Sequence, residues 1–443
     1  MSRIENVTTI AVVFFLSSLL PFIAPHAVKF SPSPTTQYQL DNGMKVILKE
    51  NHASPMITSI VCVGAGSKYE NEHNNGFSHF LEHLLFDGTA TRSRIDINEG
   101  IKNYGGYINA FTRKEMTTFF ILMPKEFIEE GMAIQSDQLF ASAFPEEEYI
   151  KEQKVVIEEI KMGDDDINYQ VEKFHDRILF GDSPYARPVI GNAEVISSIA
   201  REEVIDYWKS HYIPNNMTLL VIGDFKTKHM KKLIKKYFGR WQRKSLPPGM
   251  EVRFNFSPSN STEILRFPTK VTNINISYRA PHFSNRDYYT FEIIAQMLDA
   301  GEASPLYKAL TEPDPPLATT VSAYLETQKE FSLLHISVTA GKKADVEMIV
   351  RMVNVVIRGF TQDRFTQEDV GRFIVKSKAN EYYLEDKLHF YAFMKAQILQ
   401  NCGYDFIAGY VDNLSKVGPR DISRIARKYF SYLKYTATAV VPE

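Results

Sequence analysis

The run GFSHFLEHLLFDG, residues 76–88, places apolar side chains at Phe77, Phe80, Leu81, Leu84 and Leu85, the spacing of a helix buried along one side. Gly76 and Gly88 punctuate its two ends. Within it His79 and His83 stand four residues apart, so both imidazoles share one face and can reach a single ion. Glu82 lies one position before His83, where its carboxylate can approach a water at that ion rather than the ion itself, as a general base must. A merely solvated helix face is the competing reading. The apolar neighbours argue against it, because histidines on a half-buried helix need partners.

A catalytic zinc site uses three protein donors and keeps one position open, so a third donor has to come from elsewhere. EQKVVIEEIK (152–161) reads as a helix with its own apolar stripe through Val155, Val156 and Ile160, and Glu159 is the candidate there. Glu152 lies two turns earlier on the same face and suits an outer role, orienting a ligand histidine. Glu146, Glu147, Glu148 and Glu158 crowd the same region, and spacing alone leaves the choice among them open.

On either side of this pair the pattern is regular. YQLDNGMKVILKE (38–50) alternates around an Asp-Asn-Gly turn, MITSIVCVGAG (56–66) is a buried strand, and NYGGYINAFTRKEMTTFFILM (103–123) reads as a turn followed by paired strands. YFGRWQRKSLPPGMEVRF (237–254) lacks apolar periodicity and reads as an exposed connector. REEVIDYWKSHYIPNNMTLLVIGDF (201–225) and PRDISRIARKYFSYLKYTATAVVPE (419–443) both run helix, aromatic, short turn, apolar strand, about half the chain apart, which points to an internal duplication. The expected division is 1–35 signal peptide or N-terminal anchor plus tether, 36–243 a metal-bearing catalytic domain, and 244–443 a second homologous domain lacking the metal motif.

Apolar residues make up 44% of the 443 and charged residues 23%, the balance of a folded globular protein. With 51 Lys plus Arg against 53 Asp plus Glu there is no bulk field for a polyanion, so nucleic acid is excluded as the default partner. IAVVFFLSSLLPFIA (10–24) follows a short polar stretch containing Arg3, as an export signal does, and SPSPTT (31–36) resembles a tether. Whether the segment is cleaved or kept as a membrane anchor stays open, and either way the body is expected outside the cytoplasm, periplasmic or tethered facing the periplasm. Cys62 and Cys402 are the only cysteines and are expected to be unpaired.

Taken in order, GSKYENEHNNGFSHFLEHLLFDGT (66–89), GGYINAFTRKEMTTFF (105–120), EQKVVIEEIK (152–161) and YIPNNMTLLVIGDF (212–225) resemble the pitrilysin or insulinase family of inverted-motif (His-x-x-Glu-His) zinc peptidases. Within it the chain is most similar to the half-length branch that includes mitochondrial processing peptidase and bacterial relatives. The resemblance is strong over about residues 38–225 and beyond that is mainly one of layout. It implies an α+β fold of two duplicated α/β-roll domains, each a mostly antiparallel sheet packed with helices. It implies one Zn2+ per chain on His79, His83 and Glu159, with Glu82 as base and Glu152 as the supporting carboxylate. Gly105 to Thr112 matches the family's substrate-binding edge strand, with Asn109 and Ala110 at the positions that touch the peptide backbone. Strand addition of this kind accepts many peptide sequences.

One departure matters. Complete members of the family supply an Arg and, several residues on, a Tyr from the second half, to hold the substrate and its oxyanion. In ASPLYKALTEPDPPLATTVSAY (303–324) Thr311 and Thr319 occupy those positions. Losing an oxyanion donor costs about a hundred- to a thousandfold in rate. The resemblance therefore implies a zinc-bearing subunit acting on exported or unfolded peptides, its missing pair supplied by a homologous partner in a heterodimer, with a homodimer as the other assembly. The alternative is a non-catalytic assembly or peptide-binding subunit.

Overall fold

Alternation around the Asp41-Asn42-Gly43 turn produces the first hairpin. Strands β1 (Thr35–Gln39) and β2 (Lys45–Glu50) pair antiparallel, with Gly43 at φ +89° in the left-handed region that glycine adopts without strain. The computed structural model describes residues 35–247, 254 and 256–443. The apolar run 10–24 and part of the connector lie outside the described residues, which fall in one compact unit.

The next apolar run is β3 (Met56–Val63), after which the two-histidine segment folds as the helix Phe77–Leu84. The Gly-Gly segment opens into β4 (Tyr107–Thr112) and β5 (Thr117–Pro124), and the strand after Pro214 is β6 (Met217–Gly223). They form one sheet in the order β1-β2-β6-β3-β5-β4, antiparallel except where β2 meets β6. β4 is an outer strand.

The second half builds β7 (Thr262–Phe267), β8 (Val271–Ala280), β9 (Thr320–Thr327), β10 (Ser332–Gly341) and β11 (Tyr435–Pro442). Their order, β7-β11-β8-β10-β9 with the parallel contact at β7 and β11, repeats the order and sense of β2-β6-β3-β5-β4. The fold is thus α+β, two mostly antiparallel sheets packed with helices, as the family resemblance implied. Between β8 and β9, where the first half has the two-histidine helix between β3 and β4, lies the helix Asp287–Leu298, which carries no histidine.

Each sheet buries an apolar face under helices of its own half: Val61, Phe119 and Leu219 meet Phe80 and Leu81, and Ile274 and Ile336 meet Phe291 and Ile349. The opposite faces are exchanged. Ile60, Cys62, Phe120 and Leu220 pack against Tyr391, Ala396 and Leu399 of the helix Leu388–Cys402, from the second half. In return the helix Ile167–Phe180 lies on the second sheet, where His175 is hydrogen-bonded through Nδ1 to Thr438 (2.8 Å) and through Nε2 to Ser277 (2.6 Å). Both buried ring nitrogens are therefore satisfied.

β1 begins at Thr35, within the stretch the sequence reading gave to the tether, since β-branched threonines suit an extended, paired backbone. Cys62 and Cys402 are free thiols, and burial pushes Cys62 up to about 12. Among the described residues no helix is long and apolar enough to cross a membrane.

Candidate metal centre

The helix Phe77–Leu84 starts at a place its own backbone could not cap. Gly76, at φ +106°, offers no side chain, and the buried carboxylate of Glu70 takes over: Oε2 accepts from the Gly76 N–H (2.7 Å) and Oε1 from the Ser78 N–H (2.7 Å). Gly191, at φ +91°, lies against this end so closely that a Cβ on it would stand 2.4 Å from the Gly76 Cα. With Phe77, Phe80, Leu81 and Leu84 turned into the core, His79, Glu82 and His83 occupy the remaining face, partly buried.

The opposing helix, Glu146–Asp165, buries Tyr149, Glu152, Val156 and Ile160, and Tyr149 meets Phe80 at 5.2 Å between ring centres. That contact brings Glu159 over the two imidazoles. Its Oε2 lies 3.5 Å from His83 Nε2 and 3.9 Å from His79 Nε2, and the three donor atoms lie within 4.8 Å of one another. Tetrahedral ligands 2.0–2.1 Å from a common ion stand about 3.3 Å apart, so two imidazoles and one carboxylate at this spacing fit Zn2+, with one corner left open.

The surroundings differentiate the groups. Burial, with the neighbouring His83, pulls His79 down to about 3, so its imidazole is in the neutral, ligating form. Burial also pulls on His83, but its hydrogen bond to Glu152 (Nδ1 to Oε2, 3.3 Å) and the charges of Glu159 and Glu82 outweigh it and leave its pKa raised. Glu82 is pushed up by burial, against the opposing hydrogen bond from Thr112 Oγ1 at 2.6 Å.

Glu152 holds His83 and is held in turn. Accepting from His83 keeps Glu152 down at about 2 in spite of burial, and Arg94 adds to the effect. Nη1 of Arg94 lies 2.7 Å from Glu152, 2.9 Å from Asp87 and 3.1 Å from Glu148. Those three carboxylates also converge closely enough for a cation, but the guanidinium already stands among them. Glu70, Arg94, Asp87 and Thr112 were not found from the sequence. Their roles depend on contacts between distant segments, and no spacing rule marks them.

His79, Glu82 and Glu159 line a cavity of about 350 Å3 with Thr112, Tyr169 and Ile190, all residues of the first half. Asn109 and Ala110 lie on β4, where Asn109 Oδ1 accepts from the Ala110 N–H (2.8 Å) and Asn109 Nδ2 donates to the Tyr107 hydroxyl (2.6 Å). Thr311 and Thr319 are not among the cavity's lining residues. Thr319 Oγ1 donates to the Thr339 carbonyl at 2.9 Å.

Comparison with known proteins bears on the family and the fold. A family model described as insulinase (peptidase family M16) matches residues 45–193, and one described as the peptidase M16 inactive domain matches residues 198–374. "Uncharacterized zinc protease YmxG" of Bacillus subtilis is 28% identical over 302 residues, 68% of this chain and 72% of that protein. "Probable mitochondrial-processing peptidase subunit beta" of Arabidopsis thaliana is 30% identical over 218 residues, 49% of this chain and 41% of that one. In fold, a protease from Helicobacter pylori superposes with a TM-score of 0.86 at 19% identity, covering 93% of this chain and all of that one.

Proposed function

The chain belongs to the insulinase family of peptidases, peptidase family M16, and from that membership we propose that it is the zinc-bearing subunit of an endopeptidase acting on exported or unfolded peptides. The observation that carries this reading is the meeting of His79, His83 and Glu159 beside Glu82, with His79, Glu82 and Glu159 lining a cavity. Relatives described as zinc proteases support the same metal. One Zn2+ held by these three residues supplies a Lewis acid that stabilises oxyanion charge and brings the ionisation of water into the neutral range.

The chain's own groups do the rest. Glu82 takes a proton from the attacking water at Oε, the water oxygen bonds to the scissile carbonyl carbon, and as the C–N bond breaks Glu82 returns that proton to the leaving amine. Burial, which raises the Glu82 carboxyl, brings it closer to the working pH for both transfers. Thr112 fixes the carboxylate through its hydrogen bond at 2.6 Å. Glu152, held by Arg94, orients His83. The outer strand β4 offers its free edge at Asn109 and Ala110 to an extended peptide backbone.

Among the described residues the cavity draws no lining residue from the second half, and threonines stand where the family supplies Arg and Tyr. A homologous subunit bearing that pair completes the site in this reading, and one of the relatives is itself described as a subunit. The apolar run 10–24 supports export, to the periplasm or to a membrane tether facing it. The same threonines favour the second reading, a non-catalytic assembly or peptide-binding subunit.

Co-purification from the native host, followed by digestion of a peptide library with and without chelator, separates the two. Chelator-sensitive cleavage that appears only with a second, Arg/Tyr-bearing chain is the expected result. No cleavage from the assembled complex rejects the enzyme reading, and robust activity of the chain as a lone homodimer rejects the split site.

A further inference from the structure

The proposed function leaves the second half without a task at the site, yet one of its helices reaches the peptide-binding strand. In β4 the side chains of Ile108, Ala110 and Thr112 share a face with the two-histidine helix, Thr112 touching Glu82. Tyr107, Asn109 and Phe111 turn to the opposite face, Asn109 standing across from Phe120 of β5. There Phe393 of the helix Leu388–Cys402 stacks on Phe111, with ring centres 4.6 Å apart and planes at 27°, and meets Phe120 edge-on at 6.3 Å.

Despite these contacts Phe393 is 44% exposed and its neighbour Met394 53%. Both stand on the wall of a cavity of about 510 Å3 that is also bounded by Arg113, the residue following β4, and by Tyr324 on β9. Ile398, Phe406 and Tyr410 continue that wall. The volume is in the range of pockets that enclose a ligand group. Of its charged groups, Arg113 donates to Gln397 at 2.7 Å, Lys395 to Glu381 at 2.5 Å and Glu326 meets His335 at 2.7 Å, while Lys376 is exposed on the wall. Where the wall meets the strand, the exposed side chains are the apolar Phe393 and Met394.

A peptide added to the free edge of β4 lies 4.7–4.9 Å from it and sends alternate side chains to the two faces of the sheet. One row faces Glu82. The geometry points to the other row meeting Phe393 and Met394, so that this rim and cavity form a specificity site for a bulky apolar, preferably aromatic, side chain of the extended peptide. The occupant is the substrate, because the rim continues the face of β4 through the Phe111–Phe393 stack. The inference rests on the peptidase reading and adds a substrate class: peptides with apolar side chains at positions alternating with those that face the catalytic cavity.

The test uses the full chain, with its partner subunit, as the zinc-loaded Glu82→Gln form, and measures the Kd of extended fluorescent peptides that carry Phe, Ala, Asp or Lys at each position in turn. Phe at every second position should tighten binding about tenfold over Ala. In the Phe393→Ala/Met394→Ala protein that advantage should fall below about twofold while the Ala peptides bind as before. Met394→Glu, a change at an exposed side chain, should shift the preference at those positions from Phe to Lys. A Phe preference that survives in both variants overturns the proposal. So does a loss of subunit affinity with unchanged peptide preference, which would make the rim a subunit contact. Absence of peptide binding by every zinc-loaded form would instead count against the peptidase reading itself.

Discussion

Glu82 and Glu159 are carboxylates within reach of the same imidazoles, and their surroundings divide the work between them. Glu159 reaches in from a half-exposed position on the opposing helix and aligns with both Nε2 atoms. Glu82, more enclosed and held by Thr112, is raised by burial, as suits a group that must take and return a proton. Glu82→Gln should therefore retain zinc and lower kcat by about a hundred- to ten-thousandfold, and full activity in that variant would remove Glu82 from its role. Arg94→Gln should weaken zinc binding about tenfold by loosening Glu152 behind His83. Chelator-competition titration reads this directly, and unchanged affinity would show that Glu152 needs no such support. The sequence made His79, Glu82 and His83 legible because one helical turn joins them. Glu159 stood among several glutamates on its helix, and only the family resemblance singled it out. Arg94 could not be read at all: it opens another helix, and nothing in the sequence ties it to Glu152.

At the scale of elements, the placement of the two-histidine helix depends on its first turn. Gly76 and Gly191 meet back to back, both in the left-handed region, and Glu70 closes the helix end. Gly191→Ala should destabilise the protein by about 2 kcal/mol or more, from backbone strain together with the clash against Gly76. Thermal unfolding measures the loss, and the zinc content of the folded fraction should fall as the helix shifts. A variant with unchanged stability would show that the approach of these two segments is slack. The strands of the first half and the two helices that carry the site were legible, because Asn-Gly and Gly-Gly turns separate runs of clear period there. The cap at Gly76 was not, since glycine marks a boundary without saying which distant carboxylate will complete it.

The whole molecule is held by exchange: each half places a helix on the other's sheet. Neither helix was read from the sequence, and periodicity alone could not have said which sheet either would cover. The α+β fold with two sheets was implied by the family resemblance, while the residues themselves pointed to a duplication only through the similar helix-to-strand endings of the two halves. The contact made by the helix Ile167–Phe180 has a pH signature. Burial holds His175 down to about 3, against an ordinary value of 6.5. As pH falls from 6.5 toward 3, the unfolded chain takes up a proton at this residue that the folded chain refuses, so stability is lost through that window by about 1.4 kcal/mol per pH unit. Above pH 6.5 the contribution is fully present. His175→Gln should be less stable than the parent at pH 7.5 and lose less on acidification between pH 6.5 and 4, as read by denaturant midpoints at each pH. Parallel pH profiles for the two proteins would show that this histidine does not link the halves in the way described.

The most direct measurement is the metal content of the purified full chain, by elemental analysis, beside that of Glu159→Gln prepared in the same way. The account expects close to one zinc per parent chain, removable by chelator and restored on adding zinc, and a strongly reduced content in the variant. A parent chain that takes up no zinc under any preparation, or a Glu159→Gln protein that holds it as tightly as the parent, would contradict it.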